Sequence, residues 1–272
     1  MPFPSVAART VLRLALAGLA TVSLASAQAQ DEVPFVVTPD NVTLAMLRLA
    51  DVGARDHVID LGSGDGRIVI TAANRFGASG LGVEIVGDLV RQSRAVAASA
   101  GVADRVAFRE QDLFLTDLAP ATVVTMYLLP EVNLALRPRL LALAPGTRIV
   151  SHDWDMGDWR PDRTTELDVP DKQVGREKKS RVHLWVVPAR VAGEWCGAGP
   201  LRGARLSIEQ AHQRYRGTLR QGRRSTGIEG VISGTELRLA QGRGESVHLR
   251  LDGGSLRRVV GGSEGPGAFQ RC

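Results

Sequence analysis

A glycine-rich turn between a short apolar strand and a helix is the feature that most limits how this chain can fold. Residues 58–61 precede Gly62, Gly64 and Gly66, and the apolar run 68–73 follows them. Glycine at alternate positions lets the backbone bend sharply and lets a ligand come close, because a Cβ would clash there. The N–H groups at the start of the following helix point at such a ligand. The pattern therefore predicts a floor for a flat or anionic group.

A second acid-bearing strand extends this pattern towards nucleoside binding. Residues 81–85 predict a strand that contains Glu84, 22 residues after Gly62. A carboxylate about 20 residues after the glycine turn is where a βαβ unit binds ribose hydroxyls. Nucleoside binding is therefore favoured over a turn that is only structural.

The form of the turn carries a family resemblance. Asp60 and the spacing G-x-G-x-G resemble motif I of the class I S-adenosylmethionine (SAM) methyltransferases, whereas the dinucleotide fingerprint is G-x-G-x-x-G. The resemblance implies that Asp60 helps to hold the methionine part of SAM and that Glu84 binds the ribose. It also implies that Asp112, after a third strand at 106–108, contacts the adenine amino group. A helix N-cap or turn is the alternative role for Asp112.

The cofactor site predicted from this resemblance includes residues of the turn, of two strand ends and of an extended N-terminal lead-in at 33–40. We expect the lead-in to fold over the cofactor. The predicted cofactor-binding residues are Asp60, Gly62, Ser63, Gly64, Glu84, Ile85, Asp112, Leu113 and Thr38.

Strands and helices alternate along the first two thirds of the chain, which predicts an α/β fold with a parallel, Rossmann-like sheet. Asp40 is a plausible N-cap of the first helix. A pair of strands at 163–169 and 181–187 predicts an antiparallel last strand. Further strands are predicted at 122–127 and 147–151, and further helices at 67–76, 88–100 and 134–143.

A narrower resemblance covers about residues 33–187. Residues 34–39, 60–73 and 148–162 look like the lineage of the mitochondrial lysine methyltransferases of the ATP synthase c subunit and the adenine nucleotide translocase. The resemblance implies N-methylation of a protein lysine by in-line transfer from SAM. The chain differs from those relatives in its N-terminus, its C-terminal extension and the turn after the fourth strand.

The acceptor side is predicted from residues of two loops. The turn after the fourth strand reads Tyr-Leu-Leu-Pro and lacks the Asn or Asp typical of enzymes that methylate nucleobase amines. A lysine amine must lose a proton at a pKa of about 10.4, and apolar surroundings favour the neutral form. Tyr127 and Trp159 would line an apolar channel, while Asp155, with Asp153 and Asp158, would attract the cation. The predicted catalytic residues are Tyr127, Asp155 and Trp159; a well-capped loop is the alternative.

The N-terminus has the pattern of a secretory signal peptide. Residues 1–30 contain no acid, and Arg9 and Arg13 precede the apolar run 14–25 and small-x-small cleavage sites. The prediction is a signal peptide or anchor at residues 1–29 and export to the periplasm or medium. A membrane anchor and an organelle presequence are the alternatives.

Beyond the methyltransferase domain predicted at 30–190, the chain changes character. Short alternating runs between glycine-rich turns predict a small antiparallel β domain at 191–272, either a meander or a small barrel. Cys196 and Cys272 could form one disulfide in an exported protein. Neither cysteine has a partner at metal-ligand spacing, so no metal site is predicted.

The same C-terminal region is strongly basic. Residues 190–272 contain 14 arginines, no lysine and seven acids, a net charge of +7. Such charge suggests an anionic envelope surface, with a merely solvated surface as the alternative. Nucleic acid is a less favoured partner, because few aromatic side chains offer stacking faces.

Two classes of function follow from these observations. The first is an active SAM-dependent methyltransferase whose substrate is a protein lysine. The second is an exported module that keeps the fold for binding or envelope structure without turnover. The second class is considered because SAM is made in the cytoplasm, whereas the N-terminus predicts export.

Overall fold

The computed structural model describes residues 36–172, 177–239 and 247–272. Seven strands form the first sheet in the order β3–β2–β1–β4–β5–β7–β6. The strands are β1 His57–Leu61, β2 Ser79–Glu84, β3 Val106–Glu110, β4 Val123–Met126, β5 Arg148–His152, β6 Arg163–Asp168 and β7 Lys179–Val186. The helices are α1 Asp40–Leu49, α2 Arg67–Phe76, α3 Gly87–Ser99 and α4 Pro130–Leu140. The predicted signal segment, residues 1–29, lies outside the described residues.

The strand directions bring all candidate site residues to one edge of this sheet. Strands β1 to β5 are parallel, and β7 is antiparallel to both β5 and β6. Because His152 pairs with Val182 and Asp168 pairs with Lys179, the β6–β7 loop lies at the carboxyl ends of β4 and β5. The predicted class I fold with an antiparallel last strand is confirmed.

Apolar residues that alternate along β1 explain how the helices cover the sheet. Ile59 and Leu61 pack in one core with Leu140 of α4. Val58 faces the other side and packs in a second core with Met46 of α1. Successive side chains of a strand point to opposite faces, so a buried parallel strand is apolar on both.

Two helix starts differ from the predictions. Asp40 is the first residue of α1 rather than its N-cap, since Pro39 occupies the cap position without a side-chain hydrogen bond. Helix α4 begins at Pro130, four residues before the predicted start. Proline is favoured in the first turn because its fixed φ suits a helix and its missing N–H would have no helical partner there.

The second sheet is a closed antiparallel barrel in the order β10–β11–β12–β13–β14–β15–β8–β9. Its strands are β8 Gly193–Ala198, β9 Ala204–Ala211, β10 Arg214–Gln221, β11 Arg224–Ser233, β12 Glu236–Leu239, β13 Val247–Asp252, β14 Ser255–Val260 and β15 Ser263–Arg271. Apolar side chains fill its interior, among them Trp195, Leu206 and Phe269. A disulfide joins Cys196 to Cys272, with 5.1 Å between their Cα atoms.

Two hydrogen bonds connect the barrel to chain segments that flank the first sheet. The N–H of Ala189 donates to Gly234 O at 2.7 Å, and Gln213 Nε2 donates to Arg160 O at 2.5 Å. The segment between β7 and β8 includes residue 190, where the sequence predicts a domain boundary; that division stays a prediction, since Phe35–Cys272 is one compact unit. No helix within the described ranges has both the length and the apolar character needed to cross a membrane.

Candidate active site

The glycine turn between β1 and α2 has the backbone that its sequence predicts. Gly62, Gly64 and Gly66 have φ values of 72°, 53° and 79°, in the left-handed region that favours glycine. A Cβ at residue 66 would lie 2.6 Å from the Phe108 ring, so this glycine allows close packing of α2 on the sheet. The other two glycines leave the backbone bare at the end of β1.

Glu84 bridges the turn and the end of β2. Its Oε2 accepts a hydrogen bond from Gly64 N–H at 2.9 Å, and its Oε1 accepts from the N–H groups of Ile85 and Val86. The carboxylate is therefore fixed directly beside the bare backbone. This is the placement that a ribose-binding acid of a βαβ unit requires.

Asp60 is buried at the base of the turn. Its Oδ1 accepts a hydrogen bond from Thr125 Oγ1 at 2.7 Å. Burial raises the pKa of Asp60 to about 7; the Thr125 bond opposes this shift, and the charges of Asp65 and Glu84 add to it. A cation that binds beside a buried carboxyl group with a pKa near 7 stabilises its ionised form.

The lead-in and the turn are tied to each other. Arg67 donates to Thr38 O at 3.0 Å and pairs with Asp65 at 2.6 Å. Within the described residues, Ser63 Oγ is buried and has no hydrogen-bond partner. A buried hydroxyl without a partner in a ligand cradle is a group that a bound cofactor could satisfy.

The residues predicted to contact the adenine are Ile85, Asp112 and Leu113. Ile85 is 70% exposed at the end of β2, where it offers an apolar face. Asp112 caps a short 3-10 helix, Leu113–Leu115, with Oδ1 accepting from Phe114 N–H at 2.8 Å. The capping role considered as the alternative for Asp112 is thus present, and its proposed adenine contact stays a prediction.

A hollow of about 180 Å³ lies beside the carboxyl ends of β4 and β5. Its walls come from residues 36–39, from the ends of β4 and β5, and from residues 171–172. We call it the acceptor pocket; its lining residues are Val36, Val37, Pro39, Tyr127, His152, Asp171 and Lys172.

Two rings form one wall of the acceptor pocket. The centroids of the Tyr127 and His152 rings are 3.9 Å apart, and His152 Nε2 lies 2.9 Å from Ser180 Oγ. Burial lowers the pKa of His152 to about 4, which Asp153 opposes and Lys172 reinforces. Burial, followed by the charge of Asp153, raises the pKa of Tyr127. Both rings are therefore uncharged at neutral pH.

Asp153 lies beside the acceptor pocket and pairs with Lys172, one of its two charged lining residues. It is a non-glycine residue with φ of 62°, held by hydrogen bonds with the backbone of Arg181. Its Oδ2 lies 2.7 Å from Lys172 Nζ and 3.5 Å from His152 Nε2. A non-glycine residue keeps a left-handed conformation only when its surroundings hold it there, and here the two hydrogen bonds with Arg181 do so.

The structure separates the acids that the sequence groups together. Asp155 is exposed, and its Oδ1 accepts a hydrogen bond from Gly157 N–H at 3.0 Å. Asp158 is exposed and pairs with Arg137. Asp153 alone of the three pairs with a cation that lines the acceptor pocket, and the catalytic role of Asp155 stays a prediction.

Trp159 does not line the acceptor pocket either. Its side chain is fully buried and packs against Trp185, and its ring stacks on His212 of the barrel with centroids 6.1 Å apart. Trp159 therefore does not line the predicted channel, because it belongs to a core cluster with Met156 and Trp185. No role is predicted from the sequence for His152 or Lys172, although His152 directly precedes the acidic segment.

Comparisons with known proteins agree with this geometry. The family model described as the ANTKMT methyltransferase domain matches residues 60–163. A protein-lysine N-methyltransferase of Saccharolobus islandicus is 43% identical over 138 residues, which cover 50% of this chain and 86% of that protein. The chain belongs to this methyltransferase family.

Two further comparisons extend the family relationship. The adenine nucleotide translocase lysine N-methyltransferase of mouse is 34% identical over 135 residues, or 48% of this chain, and the match spans 57% of the mouse protein. A crystal structure of an RNA methyltransferase from Salinibacter ruber, in complex with S-adenosyl-L-homocysteine, is 52% identical with a TM-score of 0.53. The match covers 57% of this chain and 96% of that one. The predicted methyltransferase class and the cofactor SAM are confirmed.

Proposed function

We propose that this protein transfers the methyl group of SAM to the side-chain amine of a lysine in another protein. The observation that supports this function is the ion pair of Asp153 with Lys172 Nζ, at 2.7 Å, in the acceptor pocket. The site already accommodates one lysine ammonium beside two uncharged rings. It therefore has the charge and the size to bind an acceptor lysine in place of Lys172. The relatives named as lysine N-methyltransferases support the same acceptor.

The chain's own residues would prepare the acceptor amine. SAM, when bound, supplies a methyl group activated by the positive charge on its sulfur. Asp153 would pair with the incoming ammonium and orient it, as carboxylates do for lysine. The amine must lose its proton to water before it is enclosed. Desolvation by Tyr127 and residues 36–39 would then favour the neutral amine, whereas the charge of Asp153 would oppose it. His152 is too weak a base at neutral pH to take that proton, because its pKa is about 4.

Substitution of Asp153 tests this function. The Asp153→Asn variant keeps an oxygen that can accept from Arg181 N–H but loses the charge, so methyl transfer to lysine peptides should fall about 10- to 100-fold. Asp155→Asn is the matched control, since Asp155 only accepts a bond from Gly157, and its activity should change less than twofold. The readout is transfer of labelled methyl from SAM, with SAM affinity measured separately. Full activity of Asp153→Asn would contradict the proposal.

An RNA acceptor is the second candidate, because the Salinibacter ruber protein is named an RNA methyltransferase. The turn after β4 argues against it, since Tyr-Leu-Leu-Pro offers no side-chain amide or carboxylate to a nucleobase amine. Extracts incubated with the protein and labelled SAM distinguish the two. Label that is removed by protease supports the lysine acceptor, and label that is removed by ribonuclease supports RNA.

We also propose that the protein is exported. The pattern of residues 1–30 supports this location, and so does the disulfide between Cys196 and Cys272, because disulfides persist in oxidising compartments. A fusion of residues 1–35 to a reporter that is active only outside the cytoplasm should be active. Reporter activity confined to the cytoplasm would contradict export.

An anionic envelope surface is the proposed partner of the barrel. Arg205 and Arg220 lie directly opposite each other on β9 and β10, and both are exposed. Like charges in this position destabilise a sheet, so an anion bound between them would be favourable. Arg205→Gln with Arg220→Gln should reduce salt-sensitive retention on vesicles of anionic lipid. The control is Arg216→Gln, whose arginine pairs with Glu209 at 2.7 Å; equal loss in both would contradict a specific site.

A further inference from the structure

Lys172 lines the acceptor pocket and pairs with the carboxylate beside it. Its Nζ contacts Asp153 Oδ2 at 2.7 Å and donates to Lys179 O at 2.5 Å. Its side chain is 13% exposed and that of Asp153 is 15% exposed, so the pair lies largely out of water. The carboxylate that would bind an acceptor lysine is therefore already bound to a lysine of the same chain.

The residue type at this position is unusual for this chain. Of its 34 basic residues only three are lysines, and these are Lys172, Lys178 and Lys179. Arginine is the residue that suits a buried ion pair, because its guanidinium is less strongly hydrated and binds carboxylates with two parallel bonds. A lysine held mostly out of water, in a chain that uses arginine almost everywhere else, has the same functional group as the proposed acceptor.

The two other lysines are both exposed and already make surface contacts, so Lys172 is not needed for such contacts. Lys179 is exposed and pairs with Glu166 at 2.7 Å on the strand pair β6–β7. Lys178 is exposed and donates to Lys172 O at 2.8 Å. Of the three, Lys172 alone lines the acceptor pocket.

We propose that Lys172 is a built-in mimic of the acceptor lysine, which an incoming lysine must displace from Asp153. The inference rests on the proposed function, since it names what regulates that same pocket. Displacement exchanges one ammonium for another on the same carboxylate. The apparent affinity for the acceptor is therefore reduced by the fraction of molecules in which the pocket is free. A protein acceptor that also contacts the surface outside the pocket would therefore bind more tightly than free lysine.

The Lys172→Met variant tests this mimicry, because methionine has similar length and no charge. If the pocket is free in about one molecule in ten, KM for a lysine peptide should fall about tenfold while kcat changes less than about twofold. Lys172→Arg keeps a cation on Asp153 and should retain a high KM. The matched control is Lys179→Met, which removes a lysine from the same hairpin and should leave KM unchanged. SAM affinity and the melting temperature show whether each variant is folded.

A second measurement works on the unmodified chain. Lys172 should react slowly with an amine-acylating reagent in the free protein, and faster when a saturating lysine peptide is present, as peptide mass spectrometry would show. Unchanged protection of Lys172 in the presence of peptide would overturn the inference. An unchanged KM in Lys172→Met would do the same.

These results separate the inference from the function on which it rests. If wild-type protein methylates lysine peptides and Lys172→Met does so with the same KM, the mimicry fails and the function stands. If only Lys172→Met methylates them, the mimicry is supported strongly. If SAM binds and neither form methylates any lysine peptide, the proposed function fails, and the mimicry fails with it.

Discussion

The carboxyl edge of the parallel sheet and the closed barrel differ in where they place charged side chains. The sheet edge keeps Asp60, Asp153 and His152 out of water, and it uses left-handed backbone at Gly62 and Asp153. The barrel keeps an apolar interior and places its charges outside, where several form exposed ion pairs such as Arg216 with Glu209. Buried charges and strained backbone reduce the stability of the fold. They are found most often at sites where a bound ligand can offset that cost. The sheet edge is therefore the region where we expect the cofactor and the acceptor to bind, and the barrel interior is the region that contributes mainly to stability.

Removal of the disulfide should have the largest effect, and it should affect the barrel alone. Cys196 and Cys272 are 76 residues apart, and closing a loop of that length contributes about 4 kcal/mol by restricting the unfolded chain. The Cys196→Ser, Cys272→Ser double variant should lose about that much unfolding free energy in a denaturant titration. Its affinity for SAM under native conditions should equal that of the wild type. A matching loss of SAM affinity would break the division between the two regions.

Substitution of Glu84 should give the converse result. The Glu84→Ala variant loses the carboxylate fixed beside Gly64, and hydrogen bonds to a charged group are worth about 2 kcal/mol, so SAM affinity should fall about 30-fold. Calorimetry with SAM measures this change. Glu110→Ala is the control, because Glu110 pairs with Glu84 in the sheet register but lies on the neighbouring strand β3. Equal losses in both variants would mean that general charge, and not the bridging carboxylate, holds the cofactor.

The pH dependence of SAM binding should show the buried charge of Asp60. Its pKa is raised to about 7, so the group is mostly neutral below that value and mostly ionised above it. The methionine part of SAM is cationic at its ammonium, and the ionised carboxylate binds it better. SAM affinity should therefore rise about tenfold between about pH 6 and pH 8. Asp60→Asn should remove most of this rise.

The stability of the free protein should have the opposite pH trend. A carboxyl group with a raised pKa favours the folded state when it is protonated. That contribution is fully present below its ordinary pKa and is lost as the pH rises through about 7. Denaturant titrations of wild type and Asp60→Asn at several pH values measure the difference. A SAM affinity that is flat with pH in the wild type would exclude Asp60 from the cofactor site.

The smallest expected effect lies at the contact between the two regions. Gln213 is buried and donates to Arg160 O, so Gln213→Ala should cost about 1 kcal/mol of unfolding free energy. The change should also raise KM for a lysine acceptor, since Arg160 belongs to the segment that follows Asp153. Gln221→Ala, at an exposed position of the β10–β11 turn, is the control. A change in stability without any change in KM would mean that the barrel does not steady the acceptor side.

The parts of this fold that could be predicted from the sequence are those fixed by neighbouring residues. Helix α2 has the bounds expected, because Gly66 and Gly77 flank it with left-handed conformations. The bridge from Glu84 to Gly64 follows from a strand–turn–helix–strand unit that is contiguous in the sequence. The disulfide is an option that the sequence offers by itself, since only two cysteines are present.

The remainder depends on contacts between distant segments. Trp159 packs on Trp185 and stacks on His212, and Asp153 meets Lys172 only because β7 returns antiparallel beside β5. The closure of the barrel needs β8 to pair with β15, its first strand with its last. Local patterns contain no information about which distant segment completes a contact, so the choice among three aspartates could not be made from sequence.

The stacking of His212 on Trp159 also has a thermodynamic consequence. Coupling between two binding sites is reciprocal, so if this stack links the acceptor pocket to the barrel, a ligand at either site changes the binding free energy at the other by the same amount. An anion captured on the barrel that steadied the β9–β10 turn would thus tighten acceptor binding far upstream in the chain. A bound acceptor, in return, would strengthen the hold of the barrel on that anion.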